Sequence, residues 1–180
     1  MEYWDIYDRD KKPTGRTMKR NDWCLKDGEY HLTVLGVVAR PDHKFLITKR
    51  VMTKAWAPGC WEVSGGAAQA GEESREAVLR EVKEETGVSA SIIKYIGKSS
   101  YSFNTPQDMV EKDVHWYLMM ADSYYSKPQR EEHFVDSGYY KFYEAYHLLK
   151  FSNEKQILEK AYNEYRDLKK ANLWGSKKYF

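Results

Sequence analysis

Gly66-Ala-Ala-Gln-Ala-Gly-Glu72-Glu-Ser-Arg-Glu-Ala-Val-Leu-Arg80-Glu81-Val82-Lys-Glu84-Glu85-Thr-Gly87-Val88 is the stretch around which the chain is organised. Its opening residues are small and glycine-rich, which suits a backbone that turns sharply or approaches something closely. From about Glu73 to Thr86 the pattern is helical, with Ala77, Val78 and Val82 on an apolar stripe and Gly87 placed to end the helix. Residues three and four apart share a helical face, so Glu81, Glu84 and Glu85 point the same way. Carboxylates so grouped repel one another, and the helix dipole adds to the cost near a C-terminus. A compensating cation is therefore expected. Oxygen donors without nearby Cys or paired His select Mg²⁺, Mn²⁺ or Ca²⁺ over zinc. A solvated acidic helix face is the plain alternative.

The stretch resembles the Nudix box, G-x5-E-x7-R-E-U-x-E-E-x-G-U with U aliphatic, and matches it at all nine specified positions between Gly66 and Val88. The resemblance makes Glu81, Glu84 and Glu85 the metal-binding carboxylates. It also implies that Arg80 orients the glutamates with Glu72 as its ion-pair partner, and that the Gly65 carbonyl adds a ligand.

Bulk properties agree with such an enzyme. A chain of 180 residues fits a single domain (1–180) that buries roughly 70% of the surface its unfolded form exposes. Lys and Arg total 29 against 27 acids, a net charge of +2, so no field for bulk nucleic acid is expected. The two cysteines, Cys24 and Cys60, are too few for a disulfide framework and fit a reducing compartment. No apolar run approaches a membrane span and no signal-peptide core opens the chain, so a cytoplasmic enzyme is the expectation. Oligomeric state is not written in the sequence, and a homodimer is kept open.

Working outward, residues 3–7 and 16–19 read as an N-terminal hairpin extension within residues 1–30. Its Lys11, Lys12, Arg16, Lys19 and Arg20 read as a solvated surface more readily than as a phosphate site. Leu32–Ala39 and Lys44–Arg50 read as two antiparallel strands around a Pro41-Asp-His turn. After the helix of the box (66–88), strands are expected over Ile92–Asn104, Val114–Ala121 and Tyr139–Tyr143. Helices are expected over Tyr143–Leu149 and Asn153–Ala171, the latter within the C-terminal segment 152–172. The sum is α/β: a mixed sheet between helices, the α/β/α sandwich that the Nudix resemblance also implies.

A narrower resemblance, to type I isopentenyl-diphosphate isomerase-like Nudix proteins, rests on Trp4-Asp-Ile-Tyr-Asp8, Pro13-Thr-Gly-Arg16, His31-Leu32, Thr48-Lys-Arg50, Lys54 and Pro58-Gly-Cys-Trp61. The isomerases carry C-G-H-P before the helix, where this chain reads Gly65-Gly66-Ala67-Ala68, and they lack the box carboxylates that this chain keeps. Isomerase chemistry is thus disfavoured, as is a non-catalytic binding protein, which has no need of those glutamates. Within the same resemblance, Glu111 and Asp113 match acidic ligands, and as strand residues two apart they share a face. Glu111 is offered as a fourth metal carboxylate or a base. Arg50 and Lys54 match diphosphate contacts, a guanidinium offering two donors and an ammonium a point charge. His31 matches a ligand whose partner position is Ala67, so it reads as a hydrogen-bonded core histidine. Glu131 and Glu132 are weaker base candidates. Tyr101, Phe103, Trp116 and Tyr117 could stack on a planar group, yet strand aromatics are mostly core.

The expected reaction is Mg²⁺-dependent hydrolysis, with Mn²⁺ as an alternative, of a small nucleoside diphosphate linked to another moiety. Glu81, Glu85 or Glu111 would take the proton from water attacking phosphorus. The sequence does not distinguish nucleotide sugars, dinucleotides, coenzyme A derivatives and nucleoside triphosphates, nor the phosphorus attacked.

Overall fold

The computed structural model describes residues 1–106, 109–121, 123–129 and 133–172. Strands β1 (Tyr3–Tyr7) and β2 (Pro13–Lys19) form an antiparallel hairpin. They are followed by β3 (Tyr30–Ala39), β4 (Lys44–Arg50), β5 (Trp61–Glu62), β6 (Ser64–Ala67) and helix α1 (Ser74–Thr86). Then come β7 (Ser91–Asn104), β8 (Met109–Met120), β9 (Phe134–Lys141), α2 (Phe142–Leu148) and α3 (Ser152–Lys170).

β3 is the hub. It runs parallel to β8, from His31 beside Lys112 to Ala39 beside Met120. It is antiparallel to β6, with Leu35 opposite Gly65 and Gly36 opposite Ser64, and to β1 at Ile6 and Tyr7. With both its edges occupied, β3 meets β4 at a single pair, Ala39 and Phe45. β4 instead pairs with β9 along its length and with β5 at Thr48 and Lys49. The expected two-strand hairpin is thus a corner between two parts of one mixed sheet.

The period-two alternation of β3 sorts the core onto two faces. Leu32, Val34 and Val38 meet Ala77, Val78 and Val82 of α1, joined by Leu46 and Met119. Leu35 and Val37 face the other way, where Phe45, Ile47 and Leu118 pack on Ala145 of α2 and on Ile157, Leu158, Ala161 and Tyr165 of α3. The apolar stripes of α1 and α3 are thereby buried on opposite sides of the sheet, as an α/β/α sandwich requires. At the N-terminus of α1, Glu73 and Glu76 form a reciprocal capping box; at its C-terminus Gly87, at φ 72°, donates its N–H to the Lys83 carbonyl. Among the described residues no helix is long and apolar enough to cross a membrane.

Three boundaries differ from the sequence reading. The first residues of the box, Gly66 and Ala67, are strand, not loop, because pairing with Thr33 and Val34 satisfies their backbone. β8 begins at Met109 and not Val114, and β9 at Phe134 and not Tyr139. In both, charged or small residues of weak strand propensity are held by a long partner, β7 in one case and β4 in the other.

Candidate active site

β6, paired with β3, leads the chain into α1 and sets the carboxylates against the sheet. Ala70 donates its N–H to the Tyr3 carbonyl at 2.8 Å and Gly71 to the Asp5 carboxylate at 2.7 Å, so the N-terminal hairpin fixes the connecting loop. Arg80 holds the loop from the helix side. It donates to both Glu72 oxygens at 2.7 and 3.0 Å, to the Ala67 carbonyl at 2.9 Å, to Glu81 at 3.0 Å and to Glu84 at 2.9 Å. The Glu72 partnership expected of Arg80 is therefore present. Burial works against the Arg80 charge, but hydrogen bonds and opposite charge from Glu72 and Glu81 hold its pKa well above the ordinary value.

The three box glutamates sit at different depths. Glu85 is 6% exposed and its carboxylate accepts the Gly65 N–H at 3.2 Å, while the Glu84 side chain is 43% exposed. Burial pushes Glu81 up to about 7 against the pull of Arg80, with Glu84 and Glu2 adding to the rise. Gly66 leaves room for this group: a Cβ there would lie 2.5 Å from the Glu81 carboxyl carbon. Among the described residues no three acidic, imidazole or thiol side chains converge on one point closely enough to hold an ion, since the Arg80 guanidinium lies between Glu81 and Glu84. The donor set, carboxylate oxygens with a glycine backbone beside them, nevertheless fits a hard divalent cation, which would compete with Arg80 for those oxygens.

These groups line a cavity of about 610 Å³, within the range of small-molecule sites. Glu81, Glu84, Glu85, Arg80, Gly65, Arg50 and Lys54 all border it. Glu111 does not. Its strand neighbours Lys112 and Val114 border the cavity, and alternation turns Glu111 to the opposite face with Asp113, which is held by Lys11 and Ser100. The structure thus separates Glu111 from the box carboxylates that the sequence reading joined it to. Glu131 and Glu132 lie outside the described residues.

Arg50 is at the cavity wall but is engaged. It donates to Glu62 at 3.1 and 3.3 Å and to the Trp56 carbonyl at 3.1 Å, so it pins the β4–β5 connection. His31 is buried as expected but not hydrogen-bonded: neither ring nitrogen has a partner among the described residues. It packs 4.3 Å from the Trp4 ring, and burial, then Lys112, lowers its pKa to about 3. Of the strand aromatics, Tyr101 borders the cavity, while Tyr117 lies on the α1 side against Ser74.

Sequence reasoning missed the far wall. Trp56, 62% exposed, stacks on Phe151 at 5.2 Å between ring centroids and 11° between planes. Asn153 and Glu154, in the first turn of α3, complete that side. An E-x-x-E-E spacing advertises a helix face, but nothing local marks a Trp and a Phe ninety-five positions apart as stacked.

Glu154 accepts the Val63 N–H at 2.9 Å, and burial, then Glu62, raises its pKa to about 8 from 4.5. Between those values the folded protein holds a proton that the unfolded chain has released. Stability from this group is therefore complete below pH 4.5 and is lost as pH rises through 8, with a slope approaching ~1.4 kcal/mol per pH unit. Denaturant unfolding in chelator at pH 5.5 and 7.5 should show wild type losing ~2 kcal/mol more than Glu154→Gln over that interval. Equal losses would mean that Glu154 ionises freely.

A profile of the NUDIX domain matches residues 29–161, well over half of the chain. An uncharacterized Nudix hydrolase of Listeria innocua is 36% identical over 118 residues, which span 63% of this chain and 69% of that protein. A CTP pyrophosphohydrolase of Escherichia coli is 24% identical over 102 residues, 57% of this chain and 70% of that protein. Among solved structures, one from Deinococcus radiodurans superposes with a TM-score of 0.64 at 19% identity, covering 89% of this chain and 99% of that one. The last similarity speaks to the fold alone.

Proposed function

Since the chain belongs to the Nudix family and is accordingly a Nudix pyrophosphohydrolase, we propose that it hydrolyses the diphosphate of a nucleoside diphosphate linked to another moiety, by attack of water at phosphorus. The observation that carries this reading is the complete box, with Glu81, Glu84 and Glu85 presented to one cavity and the loop anchored through Arg80 and Glu72. Family members act on diphosphate-containing compounds and use a divalent metal, and Glu81, Glu84, Glu85 and the Gly65 carbonyl are the groups that would hold it here. A bound Mg²⁺ or Mn²⁺ would neutralise the diphosphate oxygens and make the attacking water more acidic.

The remaining work falls to the chain. Glu81 and Glu85 both border the cavity and are the carboxylates that would take the proton from the attacking water. Arg80 keeps Glu81 and Glu84 in place. Lys54 offers a positive charge at the cavity wall, and Arg50 positions the Trp56 segment rather than the phosphates. The isomerase alternative has no acid–base cysteine: Cys60 lies near the Pro58 carbonyl and does not border the cavity.

A panel of nucleotide sugars, dinucleotides, coenzyme A derivatives, nucleoside triphosphates and isopentenyl diphosphate, with Mg²⁺ or Mn²⁺, tests the reading. At least one nucleotide should give two phosphate-bearing products, with activity abolished by chelator. Hydrolysis in ¹⁸O-water would assign the phosphorus by the product that gains label. Isomerisation of isopentenyl diphosphate without hydrolysis of any nucleotide would overturn the proposal, and binding without turnover across the panel would favour a non-catalytic protein.

A further inference from the structure

One end of the cavity is closed by a polar sheet face that neither the box nor the chemistry above uses. Lys112 on β8 lies beside His31 of β3 and opposite Tyr101 of β7; Val114 lies beside Thr33 and opposite Ser99. Directly paired residues share a face, so Lys112, Thr33, Ser99 and Tyr101 form two adjoining rows, and all four border the cavity.

The Lys112 ammonium stands 5.4 Å from the Trp23 ring centroid and 5.3 Å from that of Phe103. Among the described residues it makes no hydrogen bond or ion pair, although Lys11, Arg16, Arg20, Arg50 and Arg80 nearby in the fold are each paired with a carboxylate. The Thr33 hydroxyl is buried and has no partner either. Aromatic faces offset only part of the cost of withdrawing an ammonium from water. A point charge that shares one sheet face and one cavity with three hydroxyls is a donor set for a tetrahedral oxyanion.

The geometry points to a phosphoryl subsite formed by Lys112, Thr33, Ser99 and Tyr101, which receives a phosphate of the substrate beyond those held at the box. The inference rests on the hydrolase reading for its occupant and narrows it: the moiety joined to the nucleoside diphosphate is itself anionic, as the terminal phosphate of a nucleoside triphosphate is, rather than a neutral sugar.

Calorimetric titration in chelator separates this subsite from turnover, with adenosine triphosphate and ADP-ribose as probes. Lys112→Met should weaken adenosine triphosphate ~10- to 100-fold, the scale of a lost charged hydrogen-bond donor, and ADP-ribose less than about threefold. Lys112→Arg should retain most of the affinity, and Thr33→Val, which keeps shape and charge, should cost adenosine triphosphate about threefold to tenfold. Equal weakening of both probes by Lys112→Met, or no difference from wild type, would overturn the subsite, as would failure of wild type to bind adenosine triphosphate. Selective binding with no hydrolysis of any nucleotide would leave the subsite standing and overturn the hydrolase reading alone.

Discussion

Glu85→Gln is expected to lower kcat by ~10²-fold or more on the best substrate, with little change in stability. Glutamine keeps the size of the side chain and an oxygen that can accept the Gly65 N–H, so the 3.2 Å contact between α1 and β6 survives. What is lost is the negative charge of the most buried box carboxylate, and with it an anionic oxygen able to hold a hard cation in the cavity. Glu84→Gln should cost less, because that side chain is 43% exposed and already shares its charge with Arg80. Steady-state kinetics at saturating Mg²⁺ decide the matter; a Glu85→Gln enzyme within tenfold of wild type would remove Glu85 from the machinery.

Gly65→Ala is expected to have the largest effect on folding. A Cβ at Gly65 would lie 2.0 Å from the Val34 carbonyl oxygen and 2.6 Å from a Leu35 methyl. The first neighbour is backbone of the hub strand, so relief requires β6 to shift against β3. Overpacking of that kind costs ~1–3 kcal/mol, and the upper end is expected here because no flexible side chain can yield instead. Gly66→Ala is the informative contrast: its Cβ would meet the Glu81 carboxylate, which can swing away. That variant should remain folded and lose activity. Denaturant midpoints of the two variants should therefore separate, and a Gly65→Ala protein as stable as wild type would show that β6 moves freely.

The box and its helix were legible in the sequence because their constraints are local. Glu81, Glu84 and Glu85 share a face by helical periodicity alone, and Arg80 can reach Glu84 one turn away. The two-sided core was legible for a similar reason, the alternation of Leu32, Val34 and Val38 against Leu35 and Val37. Lys112 was not. Alternation set it opposite Glu111 and Asp113, but which face meets the box depends on the parallel register of β3 and β8, a pairing across some eighty residues. The capture of Arg50 by Glu62 and the stacking of Trp56 on Phe151 are likewise products of tertiary closure. Residues such as Glu111 and Arg50, matched by position in a pattern, carried no information about what their side chains would meet.

The position of β3 also bears on the order in which the molecule can be made. Its partners come from residues 6–7, 45, 64–67 and 112–120, so most of its pairings close long loops. A growing chain that has reached Val88 contains every residue of the box, yet lacks the strand that seals one whole edge of β3. β3 gains its full set of neighbours only after Met120 has been synthesised and paired, so chemical competence comes later in elongation than the motif that encodes it.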